Sequence, residues 1–314
     1  MILGRSRTAL ACWLVLVMVA QAGALVALHR FFVGSPLGQL VETASLAGNV
    51  YGRDRILPLV VDVLNLVSVL SLAVATIAIG FIALARRRVG LALVAIMVIA
   101  GSNLTTQILK DDVFTRPNYD IDGVTRVANS LPSGHTTVAA SVAFALVLVL
   151  PARLRGAGAL LGAGYAALTG VATLSAGWHR PSDAVGAYLV VGAWAAFAGM
   201  LLVAFRRRNT TTSGGGHPIV VAVLATVSVV LLICSALMLR EISAAFPVLW
   251  REFGDDRFLT AYVGGIAGIA GTACALIAIF LGTMYLVVPR RTVPRQRRTP
   301  DDHPPRHARV ATPA

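Results

Sequence analysis

The chain has 314 residues, of which 57% are hydrophobic and only 13% are charged, and its formal net charge is +13. The apolar residues come in runs of about twenty, the length that crosses the hydrocarbon core of a bilayer, which excludes an ordinary water-soluble domain. No folded basic face with aromatic residues accompanies the positive charge, so nucleic-acid binding is also disfavoured. We therefore expect the protein to lie among membrane lipids.

Eight apolar runs are predicted to be membrane-spanning helices, because an unpaired backbone is not tolerated in hydrocarbon. The first run follows Arg5 and Arg7 and resembles a secretory signal cleaved near Ala22, but it continues to Leu28, which favours an uncleaved helix. The predicted spans are residues 8–28, 58–84, 90–109, 136–152, 157–177, 182–205, 219–239 and 260–288. The sequence therefore predicts an all-α polytopic membrane bundle.

Composition divides this bundle into four parts. Residues 1–208 hold a six-helix core and every motif described below, and residues 209–218, rich in Thr and Gly, are predicted to be a flexible linker. Residues 219–288 form a C-terminal two-helix hairpin without a recognisable group of functional residues. Residues 289–314, rich in Pro and Arg, are predicted to be a basic disordered tail. The long loop between the first two spans is expected to lie along the outer membrane surface as a partial lid.

Arginine supplies almost all of the positive charge, and it occurs in alternate loops. Arginines precede the first span and follow the second, fourth, sixth and eighth spans, namely Arg5, Arg7, Arg86–Arg88, Arg153, Arg155, Arg206–Arg208, Arg290, Arg291, Arg295, Arg297 and Arg298. By the positive-inside rule these loops and both termini are cytoplasmic, and the remaining loops are extracytoplasmic. The heavy use of Arg and Ala is typical of a GC-rich bacterial genome, so we expect a bacterial plasma membrane.

Two histidine motifs lie where apolar runs meet extracytoplasmic loops. The first is Pro132-Ser133-Gly134-His135, where Ser133 can cap the next helix and free N–H groups attract an anion beside His135. In the second, His179 and Asp183 are four residues apart, and both side chains point the same way if the helical turn extends back to His179. A carboxylate bonded to one ring nitrogen fixes the tautomer and leaves the other nitrogen free to attack.

A third motif contributes cations. Lys110, the only lysine, ends the third span, and Arg116 precedes Pro117, so it is expected to be extended and able to bind phosphate through its planar fork. Asn103 and Gln107 share a helical face with Lys110, and for Asn103 we favour a hydrogen bond between helices. Two histidines, one carboxylate and fixed cations are the parts needed to move a phosphoryl group without a metal. No Cys or His spacing indicates a metal site, so no cofactor is expected.

Together, Lys110 to Pro117, Pro132 to His135 and His179 to Asp183 resemble the type 2 phosphatidic acid phosphatase family, the membrane branch of the acid phosphatase and vanadium haloperoxidase superfamily. The resemblance implies that His179 is a nucleophile forming a phosphohistidine, that Asp183 orients it and that His135 protonates the leaving alkoxide. It also implies that the phosphate oxygens are bound by Lys110, Arg116, Ser133 and the Gly134 N–H. The family needs no metal.

Two departures from the family pattern stand out. Five residues instead of six separate Lys110 from Arg116, a shift that is tolerable if Arg116 lies beyond the helix end. Where the family has Ser-Arg before the last histidine, this chain has Ala172-Thr173, so one phosphate-binding arginine is missing. Thr173 can supply one hydrogen bond without charge, and Arg180 or Arg126 are candidate replacements. Losing a charge-assisted clamp costs about 2–4 kcal/mol of transition-state stabilisation.

Three functions are compatible with these motifs. The favoured one is metal-independent hydrolysis of a lipid phosphate or diphosphate at the outer face, with phosphatidic acid, phosphatidylglycerol phosphate or a polyprenyl diphosphate as substrate, or transfer of the phosphoryl group to an alcohol instead of water. The alternative is a non-catalytic lipid-phosphate binding or transport protein on the same fold, motivated by the missing arginine. A haloperoxidase is disfavoured because lipid-facing helices dominate the chain.

Overall fold

The computed structural model describes residues 7–51, 58, 60–62, 64–65, 69–85, 87–121, 129–205, 217–245 and 253–287. Arg126, nearly all of the linker predicted at 209–218 and the tail predicted at 289–314 lie outside the described residues.

The described part of the chain is helical and contains no strand, which confirms the prediction of an all-α polytopic bundle. Two wider π-helical turns, His29–Val33 and Leu109–Val113, continue the first and fourth helices. The helices are α1 Arg7–Leu28, α2 Pro36–Ala47, α3 Val69–Ala85, α4 Val89–Ile108, α5 Gly134–Val149, α6 Arg155–Ser175, α7 Pro181–Ala204, α8 Pro218–Ala244 and α9 Asp255–Val287.

Six helical segments in the described part of the chain are long and apolar enough to cross a membrane, so the chain is a multi-pass membrane protein. These six correspond to α1, α4, α6, α7, α8 and α9, whereas two further apolar helices, in α3 and α5, are shorter. Helix α5 has 16 residues and therefore rises only about 24 Å, against about 30 Å for a hydrocarbon core. The eight predicted spans thus appear as six full-length helices and two shorter ones among the described residues.

Helix α7 lies at the centre of the bundle and packs against α1, α4, α5, α6 and α9. Its sequence is rich in Ala and Gly, which lets neighbouring helices approach closely. The hydroxyl group of Tyr188 on α7 is buried and donates a hydrogen bond to the Ala166 carbonyl oxygen on α6, at 2.8 Å. Because α7 starts at Pro181, its central position also fixes the place of the His179–Asp183 motif.

The C-terminal helix α9 is part of the same core. It packs against α8, and it also packs against α2, α6 and α7. Its buried residues Ile269, Ile277 and Leu281 belong to one hydrophobic cluster with residues of α4 to α7. The hydroxyl groups of Tyr262 on α9 and Ser175 on α6 are hydrogen-bonded at 2.7 Å in the interior.

The loop between the first two spans contains helix α2, which is inserted into the bundle rather than laid along its surface. Ser35 caps α2 by accepting a hydrogen bond from the Gly38 N–H at 3.0 Å. A Cβ atom at Gly38 would overlap the backbone of Phe31, and one at Gly48 would overlap the backbone of Phe258 on α9. Two glycines therefore allow α2 to fit between the His29–Val33 turn and α9.

Candidate functional site

The three sequence motifs meet at one end of the bundle, where α4 ends and where α5 and α7 begin. The backbone N–H of Ser133 donates to the Asp183 carbonyl oxygen at 2.9 Å, which joins the second motif to the third. The Asn129 side chain donates to the Lys110 carbonyl oxygen at 3.0 Å, which joins the loop before the second motif to the first. Motifs that are about seventy residues apart in sequence are thus held together by hydrogen bonds.

The side chains of His179 and Asp183 are in contact, although α7 begins at Pro181 and His179 lies before its first turn rather than on it. His179 Nδ1 lies 3.1 Å from Asp183 Oδ2, and the same oxygen accepts hydrogen bonds from Ser130 Oγ at 2.6 Å and from the Arg180 N–H at 2.9 Å. The His179 N–H donates to the Thr173 carbonyl oxygen at 3.2 Å. Asp183 is buried, so three donors compensate its desolvation and hold it in one orientation. With Nδ1 engaged by Asp183, Nε2 is the ring nitrogen of His179 that this contact leaves available.

His135 lies beside this pair. It is the second residue of α5, and its ring centroid is 5.4 Å from that of Trp178, the residue that precedes His179. Electrostatic interactions connect His135 to both His179 and Lys110. The two imidazoles and the single lysine therefore occupy the same end of the bundle, as a phosphoryl-transfer site requires.

The start of α5 and the end of α4 form the base of this region. Ser133 caps α5, since its side-chain oxygen accepts from the Thr136 N–H, and Gly134 begins the helix. The nearest group to a Cβ built on Gly134 is the Gln107 side-chain amide at 3.7 Å, so the polar face of α4 approaches this helix start. Asn103, one turn further along that face, bonds Ser141 Oγ on α5 at 3.3 Å, as predicted for a contact between helices.

Arg116 lies beyond the last turn of α4, in the extended segment that the sequence predicts before Pro117. Its Nη1 atom forms an ion pair with Glu42 Oε2 on α2 at 3.4 Å, and the side chains are 2% and 1% exposed. The other carboxylate oxygen of Glu42 accepts from the Ser182 N–H at 3.0 Å. Arg116 is thus connected through Glu42 to the first turn of α7.

Burial raises the pKa of Glu42 from its ordinary value of 4.5 to about 7, and the nearby charge of Asp183 acts in the same direction. Arg116, the hydrogen bond from Ser182 and Arg180 oppose this rise without cancelling it. Two carboxylates and two guanidinium groups therefore share one buried cluster, which consists of Glu42, Arg116, Arg180 and Asp183.

The candidate replacements for the missing arginine differ in their surroundings. Thr173 is fully buried, and its hydroxyl group donates to the Gly170 carbonyl oxygen of its own helix at 2.8 Å, so its proton is already engaged. Arg180 is 4% exposed, caps α7 and donates from Nη1 to Ser130 Oγ at 3.3 Å, next to Asp183. Of the two described candidates, only Arg180 brings a positive charge to the site.

Sequence reasoning missed Glu42, Ser130 and Trp178. The sequence did contain an indication that Glu42 matters, because it is one of three glutamates and the only charged residue in the apolar stretch from 31 to 49. Ser130 and Trp178 had none beyond their closeness to the motifs, since a serine and a tryptophan at loop ends are common in membrane proteins.

Residues 89–208 match the family model described as the PAP2 superfamily. Comparisons with curated proteins and with solved structures gave no match. The matched segment contains all three motifs, from Lys110 to Asp183, and it excludes α1, α2, α3, α8 and α9. The resemblance seen in the motifs is thereby confirmed at the level of the superfamily: residues 89–208 are similar to the PAP2 superfamily.

Proposed function

We propose that the protein is a lipid phosphate phosphatase that hydrolyses a phosphate or diphosphate ester without a metal. The match of residues 89–208 to the PAP2 superfamily supports phosphatase-type hydrolysis at a coarse level, and the membrane-spanning helices support a lipid as substrate. The observation that carries the proposal is the His179–Asp183 hydrogen bond at 3.1 Å, with the ring of His135 close by.

In the proposed mechanism, Nε2 of His179 attacks the phosphorus atom while the bond to the leaving oxygen breaks. His135 gives its proton to that oxygen, and the lipid alcohol leaves from a monophosphate, or the lipid monophosphate leaves from a diphosphate. Water then attacks the phosphohistidine, with its proton taken up by His135, and inorganic phosphate is released. Asp183 stabilises the positive charge that develops on His179, and Lys110, Arg116, Ser133, the Gly134 N–H and Arg180 bind the phosphate oxygens.

The proposed site faces the outside of a bacterial plasma membrane, with both termini in the cytoplasm. The supporting observation is that Arg87, Arg88 and Arg153 lie at the helix ends opposite to Lys110 and His179, as the positive-inside rule requires. Arg155, by contrast, is buried and donates to the carbonyl oxygens of Leu148 and Leu150, so it caps α5 in addition to any role in topology.

The test is phosphate release by the purified protein in detergent, with a chelator present and with phosphatidic acid, phosphatidylglycerol phosphate and a polyprenyl diphosphate as substrates. We expect release from at least one lipid, and we expect His179→Ala and His135→Ala to abolish it. His217→Ala is the matched control, because His217 bonds the Ala152 carbonyl oxygen at the opposite end of the bundle. Release that persists in His179→Ala would overturn the mechanism.

The second candidate is a lipid-phosphate binding or transport protein without turnover. It is favoured by the uncharged, internally bonded Thr173 at the position of the family's arginine. Binding of the same lipids without phosphate release from any of them would establish this alternative.

A further inference from the structure

The ion pair between Arg116 and Glu42 joins two parts of the chain that are 74 residues apart. Glu42 lies outside the segment that matches the PAP2 superfamily, whereas Arg116 lies within it. A buried ion pair is weak as a stabilising device, because desolvation of both charges offsets much of their attraction. The pair therefore calls for an explanation other than stability.

Among the described residues, the guanidinium group of Arg116 is paired through Nη1 with Glu42. Nη1 contacts Glu42, whereas Nη2 is buried and has no hydrogen-bond partner among the described residues. Buried donors are rarely left unpaired, and such a group indicates a site that a ligand completes. A guanidinium group with one engaged and one available nitrogen is suited to an anion such as a phosphate oxygen.

The segment around α2 also fixes the backbone on both sides of Arg116. Gln39 on α2 donates to the Pro117 carbonyl oxygen at 2.8 Å, and the His29 ring stacks on Phe114 with centroids 4.4 Å apart. The loop after α4 is thus held by side chains from the turn after α1 and from α2. This arrangement restricts where the Arg116 side chain can reach.

Glu42 connects this loop to the catalytic pair. Its second carboxylate oxygen accepts from the backbone N–H of Ser182, the neighbour of Asp183, which in turn bonds His179. One carboxylate therefore sets the distance between Arg116 and the helix start that carries the catalytic pair.

We propose that Glu42 is a positioning residue that holds Arg116 by one guanidinium nitrogen against the start of α7 and leaves the other nitrogen for the substrate phosphate. The inference rests on the proposed function, which supplies the phosphate that Arg116 binds. Under this proposal, α2 lies outside the matched residues 89–208 but aligns Arg116, a phosphate-binding residue that lies within them.

The first test is the kinetics of Glu42→Gln with phosphatidic acid in mixed micelles, or with whichever lipid of the panel the wild type hydrolyses. Glutamine keeps an acceptor for the Ser182 N–H but loses the ion pair. We expect KM to rise at least tenfold with a smaller change in kcat, because Arg116 binds phosphate in the ground state and the transition state alike. Glu241→Gln, which removes an exposed carboxylate on α8, is expected to have no effect.

The second test is a double-mutant cycle with Arg116→Ala. If Glu42 acts through Arg116, Glu42→Gln changes KM by less than threefold in the Arg116→Ala background. A full tenfold effect in that background, or an unchanged KM in the single variant, overturns the inference. Thermal unfolding of each variant in detergent checks that the fold is retained.

Binding of inorganic phosphate separates this inference from the proposed function. We expect calorimetry to give a phosphate affinity that falls at least fivefold in both Glu42→Gln and Arg116→Ala. If the wild type binds phosphate but hydrolyses no lipid, the proposed function is refuted. The effect of Glu42→Gln on the phosphate affinity then still tests the role of Glu42. An affinity unchanged by Glu42→Gln, or absent from the wild type, overturns the inference whatever the activity.

Discussion

The substitution Asp183→Asn tests the proposed catalytic pair most directly. The Arg180 N–H and the Ser130 hydroxyl group both donate to Oδ2, so the asparagine is expected to place its oxygen there and to keep its hydrogen bond to His179. The substitution therefore removes the negative charge and leaves the geometry nearly unchanged.

The size of the effect follows from the distance between the two side chains. At 3.1 Å, a unit charge on the carboxylate and one on the imidazole attract each other by about 5 kcal/mol at an effective dielectric constant of about 20. This charge on His179 develops only as its bond to phosphorus forms, so the loss falls on kcat. We expect kcat to fall by about 10³- to 10⁴-fold with little change in KM.

The assay is initial-rate phosphate release over a range of lipid concentrations, with thermal unfolding measured in the same detergent. Asp256→Asn serves as a matched control, because Asp256 is exposed at the start of α9. A value of kcat for Asp183→Asn within about tenfold of the wild type would mean that no charge develops on His179, and the nucleophilic role would have to be abandoned.

Three further predictions concern the surroundings of the pair. Arg180→Met is expected to lower kcat/KM by about 10²- to 10³-fold if Arg180 replaces the missing family arginine, and an effect below fivefold refutes that replacement. Because burial raises the pKa of Glu42 from 4.5 to about 7, the folded state holds this proton more tightly than the unfolded chain. The difference in the free energy of unfolding between the wild type and Glu42→Gln should therefore shift against the wild type as the pH rises from about 4.5 to about 7, and it should stay constant above pH 7. A difference that does not change with pH over this range contradicts the raised pKa. Gly38→Ala forces a Cβ atom into the backbone of Phe31 and is expected to destabilise the protein by about 1–3 kcal/mol and to lower kcat/KM, measured by thermal unfolding and phosphate release. An unchanged midpoint would show that α2 tolerates the shift.

The fold and the contact between His179 and Asp183 were predictable because each depends on neighbours in the sequence. Apolar runs of about twenty residues predict membrane helices, and the short separation of His179 from Asp183 brings the two side chains together although His179 lies before the helix start. Arg116 also lies beyond a helix end, as the proline after it predicts.

Long-range pairing was not predictable in the same way. Nothing in the spacing of Glu42 and Arg116 indicates that they meet, because their contact depends on how α2 inserts beside α7 and α9. Likewise, the sequence offers Thr173 as a hydrogen-bond donor to phosphate, but an intrahelical bond to Gly170 uses its proton, which only the backbone geometry reveals.

The packing of α9 affects when the bundle can complete its assembly during synthesis of the chain. Of the described helices, α9 leaves the ribosome last, yet it packs against α2, α6 and α7. Helix α2, which carries Glu42, therefore lacks one of its packing partners while the earlier helices are already in the bilayer. The end of the bundle that holds the proposed site reaches its final form only after α9 has inserted, so a nascent chain that ends at residue 208, where the superfamily match ends, still lacks part of the surroundings of that site.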